Sequence, residues 1–354
     1  MQKFPRRTVL KALAAGPALI SVGRSASAAP ETGPFEPSKI DLDKARAEGK
    51  VILYTSLDTQ IVDAIIAAFK KKHGIAVEYF RGGSADVTSK VLAEADAGRL
   101  QADMVDASDL AALLVMKDKG LLKPIKSAST GAVAAELRDP DGTWIADRLT
   151  QGVLQYNTNE FGPGKAPQSW KDLTDARMKG RLVFFSSANG DGAPRLYTLA
   201  KAFGWELLHA LAQTNPLRVQ TPQVITQVIE RGERGAAFAT NDNIALRSKQ
   251  QGKPTDYVFP KEGVPTELGA TGLLKGSAHP HAALLFHEFW MSKEGQELLS
   301  EKGKYSSRSD VASPPGSPSL SALKLLTLDP SEYKKNRDTI LQKMTDIFGG
   351  EWGI

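Results

Sequence analysis

Short apolar runs alternate with stretches of helical periodicity along this chain, and that alternation limits the folds open to it. Val51-Ile52-Leu53-Tyr54-Thr55 is short, apolar and partly β-branched, the pattern of a buried strand. Ile61, Val62, Ile65, Ile66 and Phe69 then recur at helical spacing, closed by Lys70-Lys71-Lys72 and Gly74. A second round follows, with a strand over 75–80, a loop over 81–84, a helix from about 85 to 97 and a strand entry at 103–106. Such alternation predicts a parallel sheet covered by helices on both faces. Ligands of these sheets sit at the carboxyl ends of the strands, so loops 54–58, 81–84 and 106–109 are expected to face one crevice.

Residues 152–157 read as an apolar strand connecting a first lobe to a second. The second repeats the pattern with a strand over 181–185, a Gly-rich loop over 186–192, helices over 194–203, 206–213 and 222–231, and a strand over 236–240. Residues 269–274 and an amphipathic helix over 280–291 look like a return to the first lobe. A Pro/Ser tract over 313–319 precedes a C-terminal helix at 333–348. The expected division is 39–153 plus 266–312 for one lobe, 154–265 for the other, and 313–354 packing on both. No repeat of 20 to 50 residues is visible.

The N-terminus carries Pro5-Arg6-Arg7-Thr8, an Ala-rich apolar run over 12–22, and Ala26-Ser27-Ala28. This predicts a twin-arginine signal peptide over 1–28, cleaved after Ala28, and a Pro/Gly/Ser-rich disordered leader over 29–38. About 325 residues would remain, more than one core usually serves. Five of the 45 basic residues (Lys3, Arg6, Arg7, Lys11, Arg24) fall in the signal, leaving 40 against 40 acidic residues. A net charge near zero gives no reason to expect nucleic acid as a partner. With no cysteine, disulfide scaffolds, zinc-thiolate sites, iron-sulfur clusters and thiol catalysis are excluded.

Several stretches in order carry a family resemblance: 45–56 (Ala-Arg-Ala-Glu-Gly-Lys-Val-Ile-Leu-Tyr-Thr-Ser), 69–81, 102–106, 167–173, 179–182 and 289–296. The chain resembles the extracellular solute-binding proteins of the ferric-ion, phosphonate and hexose-phosphate type over nearly its whole length beyond the signal. The resemblance implies an α/β, two-lobed periplasmic-binding-protein fold of the second type, each lobe a mainly parallel sheet flanked by helices. It further implies a periplasmic protein, not an enzyme, that captures a small-molecule ligand between its lobes and hands it to an ABC permease. No cofactor, metal or nucleic acid is expected, and a monomer is. Ferric members of the family use adjacent tyrosines. Here Thr240-Asn241-Asp242-Asn243 occupies the corresponding segment, and none of the seven tyrosines adjoins another.

The loops suit an anionic organic solute. Ser56, Ser84, Ser108 and Ser187 each sit in a loop that feeds a helix, where backbone N–H groups favour carboxylate or phosphate. Arg81 and Arg195 are candidate bidentate clamps. Asn241 and Asp242 are candidates to orient hydroxyl or amino groups, and Asp58 and Tyr156 complete the expected ligand-binding set. The competing reading makes the serines N-caps and the arginines paired surface charges. Two alternatives in function stand beside this one: a ferric-ion binding protein, and a ligand-sensing partner of a membrane kinase. An enzyme finds little support, since Ser321-Ala322-Leu323-Lys324 lacks its companion motifs and no Gly-x-Ser-x-Gly, Walker or His-Glu-x-x-His pattern occurs.

Overall fold

The computed structural model describes residues 40–125, 127–186, 192–350 and 352. The expected signal and leader, and Ser187, lie outside the described residues. The first half runs α1 (Leu42–Glu48), β1 (Lys50–Thr55), α2 (Thr59–His73), β2 (Ala76–Arg81), α3 (Ser84–Asp96), β3 (Met104–Ala107), α4 (Leu110–Asp118), β4 (Leu122–Lys123) and β5 (Ile145–Asn157). Then come β6 (Leu182–Phe185), α5 (Ala193–Phe203), α6 (Trp205–Gln213), β7 (Leu217–Val219), α7 (Pro222–Glu230), β8 (Ala236–Asn241), α8 (Asp242–Gln250), β9 (Thr255–Val258) and β10 (Val264–Leu274). The chain closes with α9 (Pro280–Met291), α10 (Lys293–Glu301), β11 (Tyr305–Ser306), β12 (Leu325–Thr327) and α11 (Pro330–Phe348).

The strands pair in the order β2-β1-β3-β10-β5-β8-β6-β7. β2, β1 and β3 are mutually parallel, and so are β7, β6 and β8. Between these two parallel sets, β10 runs antiparallel to β3, and β5 runs antiparallel to both β10 and β8. β5 therefore serves both sets: residues 145–151 pair with β10 and residues 152–157 with β8 and β9. It begins seven residues before the strand expected at 152, because Asp147 and Arg148 break the apolar pattern although both are fully buried.

Each parallel set is covered on both faces, as its largely apolar central strands β1 and β6 require. Val51, Leu53 and Met104 pack with Phe69, Phe286 and Trp290 on one side of the first set, while Tyr54, Val105, Val91 and Leu113 fill the other. In the second set Phe184 and Phe238 stack at 5.0 Å and pack with α5, α6 and α11, and Val183 and Ala237 face α7. The N-terminal part of α11 reaches Asp118 of α4 through Lys334, so this helix touches elements of both sets.

Candidate functional site

The topology brings six strand ends to one place. β1, β2, β3, β6, β7 and β8 each hand over at their carboxyl ends to a helix, respectively α2, α3, α4, α5, α7 and α8. The N-cap residues of all six helices line a single cleft of about 570 Å³, to which α11 adds Pro330 and Tyr333. Helix N-termini present unpaired N–H groups and the positive ends of their dipoles. Six of them aimed at one cavity make it a place for negative charge.

Of the residues expected there, Ser56, Asp58, Arg81, Ser84, Ser108, Arg195 and Asn241 line the cleft. Two of the three described serines bond each other, and the third bonds the residue that follows Ser108. Ser56 Oγ lies 2.9 Å from Ser108 Oγ and accepts from Ser108 N at 2.7 Å, and Ser84 Oγ accepts from Asp109 N at 3.3 Å. Arg81, at the exposed end of β2, makes no hydrogen bond or ion pair among the described residues, so its guanidinium is available.

Arg195 is different. It is 1 % exposed, donates through Nη1 to Ala239 O at 2.6 Å and Asn241 Oδ1 at 2.7 Å, and pairs through Nη2 with Glu267. Both terminal nitrogens are engaged by the protein, while Nε has no partner among the described residues, so the side chain fixes Asn241 and neutralises Glu267. Two backbone features accommodate it. Ala239 adopts φ +56°, a left-handed conformation uncommon for alanine, where the β5–β8 register shifts. A Cβ on Gly152 would stand 2.6 Å from Arg195 Cδ, so only glycine lets the arginine lie across β5.

Asp58 caps no backbone group of α2; it accepts instead from Arg247 Nη2 at 3.2 Å and Asn243 Nδ2 at 3.3 Å, both on α8. Burial works against its charge, but Lys304 and Arg247 hold its carboxyl below the usual range. Asp242 is not at the cleft surface. It lies buried beneath, accepting from Gln151 N at 3.3 Å, and burial pushes it up to about 6 against the pull of Lys304. Tyr156 does not line the cleft; its ring meets Phe161 edge-on at 6.3 Å, four residues beyond Gly152, the glycine that lies against Arg195.

Lys304 carries no motif or periodicity that would mark it as a site residue. This lysine is 7 % exposed and lines the cleft, with Nζ donating to Thr150 Oγ1 at 3.2 Å. Burial lowers its proton affinity while Asp242 and Asp58 support the charge. Glu267, Gln220, Gln223 and Tyr333 were also missed, because each reaches the cleft from an element far away in sequence. Among the described residues no group of three or more His, Asp or Glu side chains is gathered for a metal.

The sequence profile of a family described as bacterial extracellular solute-binding protein matches residues 64–324. The chain belongs to that family. This solute-binding protein is thus a periplasmic component of ABC importers, from a group that binds rather than transforms its ligands. It is 30% identical over 271 residues to an uncharacterized protein of Haemophilus influenzae, covering 73% of this chain and 78% of that one. Its fold matches the fructose-6-phosphate-bound periplasmic binding protein AfuA of Actinobacillus pleuropneumoniae with a TM-score of 0.73 at 24% identity, over 85% and 98% of the two chains. Iron-bound HitA of Pseudomonas aeruginosa matches at 0.73 with 23% identity, over 84% and 99%. At those identities the likeness establishes the two-lobed α/β fold alone.

Proposed function

We propose that this solute-binding protein captures a small organic anion, a carboxylate, phosphonate or sugar phosphate, and delivers it to its permease. The observation that carries the reading is the convergence of six helix N-termini, with Arg81, unpaired among the described residues, on one cleft. A cleft of about 570 Å³ suits a solute the size of a hexose phosphate or smaller. Iron, the ligand of HitA, finds poorer support: Tyr333 is the single tyrosine among the cleft's lining residues, and Asp58 and Glu267 are already paired with Arg247 and Arg195. Hard ferric iron wants several anionic oxygens.

The cleft lies between lobes that we assign to 39–153 plus 266–312 and to 154–265, with 313–354 packed on both. Capture closes these lobes about β5. Export follows the twin-arginine route, and the protein works as a monomer. Calorimetry against carboxylates, phosphonates, sugar phosphates and ferric citrate tests the ligand class: an anion is expected to bind, and tight iron binding with no organic ligand contradicts the reading. An unchanged radius of gyration in solution scattering at ligand saturation contradicts closure. Replacing Arg6 and Arg7 by Lys is expected to stop export, and normal secretion of that variant contradicts the assigned route.

A further inference from the structure

The floor of the cleft holds a charge that its surroundings use only in part. An ammonium has three donors. Lys304 spends one on Thr150 Oγ1, and it forms no ion pair with Asp242 or Asp58, the two carboxylates that influence it most. The remaining charged neighbours, Arg148 and Arg195, are cations already engaged by their own carboxylates. Next to it the floor is under-satisfied in a second way. Asn243 lines the cleft, yet its Oδ1 has no donor among the described residues; behind the lining, the fully buried Gln151, whose backbone N–H donates to Asp242, has an amide with no partner at either end among them. Buried polar groups are normally paired, and a lining acceptor left open beside a half-used ammonium points to a partner that arrives with the ligand.

We propose that Lys304 is a ligand-binding residue, its ammonium gripping the acid group of the solute at the cleft floor with Asp242 beneath as counter-ion. The proposal rests on the reading of the cleft as an anion site and names a residue for it. Arg81 stands at the exposed end of β2, where water weakens its pull, whereas Lys304 is enclosed and its attraction is less screened. The solute's acid group is thus expected at the floor and its neutral part toward Gln220 and Gln223.

The alternative is that Lys304 only balances the buried Asp242. Titration calorimetry with inorganic phosphate, citrate, fructose 6-phosphate and 2-aminoethylphosphonate identifies the tightest anion for the wild type, and that anion is then measured on Lys304→Met and on the Lys304→Met/Asp242→Asn double variant. The double variant removes both charges and stays balanced, so it folds even where the single one is impaired. Loss of about 30-fold or more in affinity in the double variant is expected. Affinity restored to within about threefold of wild type assigns Lys304 to charge balance and overturns the proposal while leaving the anion reading intact. A wild type that binds none of the four overturns the anion reading, and the proposal with it.

Discussion

Two clusters of buried charge lie a few residues apart along β5, and they are built on opposite plans. In the first, Arg148 donates through Nη1 to Asp106 and, at 2.8 Å, to Asp147, and through Nη2 to Ser108 Oγ at 3.0 Å. Thr55 Oγ1 donates to Asp106 at 2.5 Å and Trp290 Nε1 to Asp147 at 2.8 Å. All three charged side chains are 0 % exposed, and Gly269 leaves the room, since a Cβ there would lie 2.6 Å from the guanidinium. In the second, Lys304 and Asp242 share no ion pair, one hydroxyl serves the lysine, and the group opens on the cleft. Burial is common to both. Although Arg148 Nε has no partner among the described residues, each charge of the first cluster directly meets an opposite one, which makes it a brace for the strands below Ser108; the absence of such a pair makes the second a site.

The contrast is sharpest where it breaks. Arg148→Met strands two carboxylates in the core and is expected to cost about 3–5 kcal/mol in urea unfolding. A loss under about 1 kcal/mol would show that the brace is not a brace. Lys304→Met is expected to cost far less stability, because Asp242 already sits near pH 6 and takes up a proton readily. Its effect should appear in anion affinity instead.

A third buried group, His287 of α9, has no partner at either ring nitrogen among the described residues, and burial lowers it to about 4. Its folded value lies below the unfolded 6.5, so the unfolded chain binds the extra proton between those limits and stability falls as pH drops from about 6.5 to 4. The full loss is about 3 kcal/mol. Asp242 works the other way, gaining stability as it protonates near pH 6, so the histidine's share is read as the difference between wild type and His287→Leu. A difference that does not change with pH contradicts it.

Asp242 also makes binding respond to acid. Lys304, Arg195, Tyr257 and Tyr305 are the ionisable groups that face it. Its protonation removes a negative charge from beneath the ligand, so affinity for a carboxylate solute, which stays ionised over this range, is expected to rise roughly three- to tenfold from pH 7.5 to 5. Asp242→Asn should flatten that profile, and a profile that persists in the variant contradicts the link. The smallest effect is expected of Arg247→Ala, whose pair with Asp58 is partly exposed: under about 1 kcal/mol in stability. A larger loss would make that pair part of the brace.

The frame of the fold was legible because strand and helix periods differ, and each Gly74-like stop marks a boundary. The loops at 54–58, 81–84 and 106–109 followed from the rule for parallel sheets, and the structure brings them to one cleft. The start of β5 was hidden because a strand containing Asp147-Arg148 reads as surface until Asp106, 41 positions before Asp147, is seen beside it. Arg195 was visible as a cation, but Glu267 and Asn241, which occupy it, are joined to it only by the fold. Lys304 in Gly303-Lys304-Tyr305 has no periodicity and no motif around it. Its burial is decided by β11 pairing with β5, a contact that no local pattern encodes.

A crystal structure of the protein with its bound anion tests the central claim most directly. The acid group of the solute is expected within hydrogen-bonding distance of Lys304 Nζ, among the N-termini of the six helices. An acid group held elsewhere, with Lys304 still bonded only to Thr150, or a ligand with no negative charge in the cleft, would contradict it.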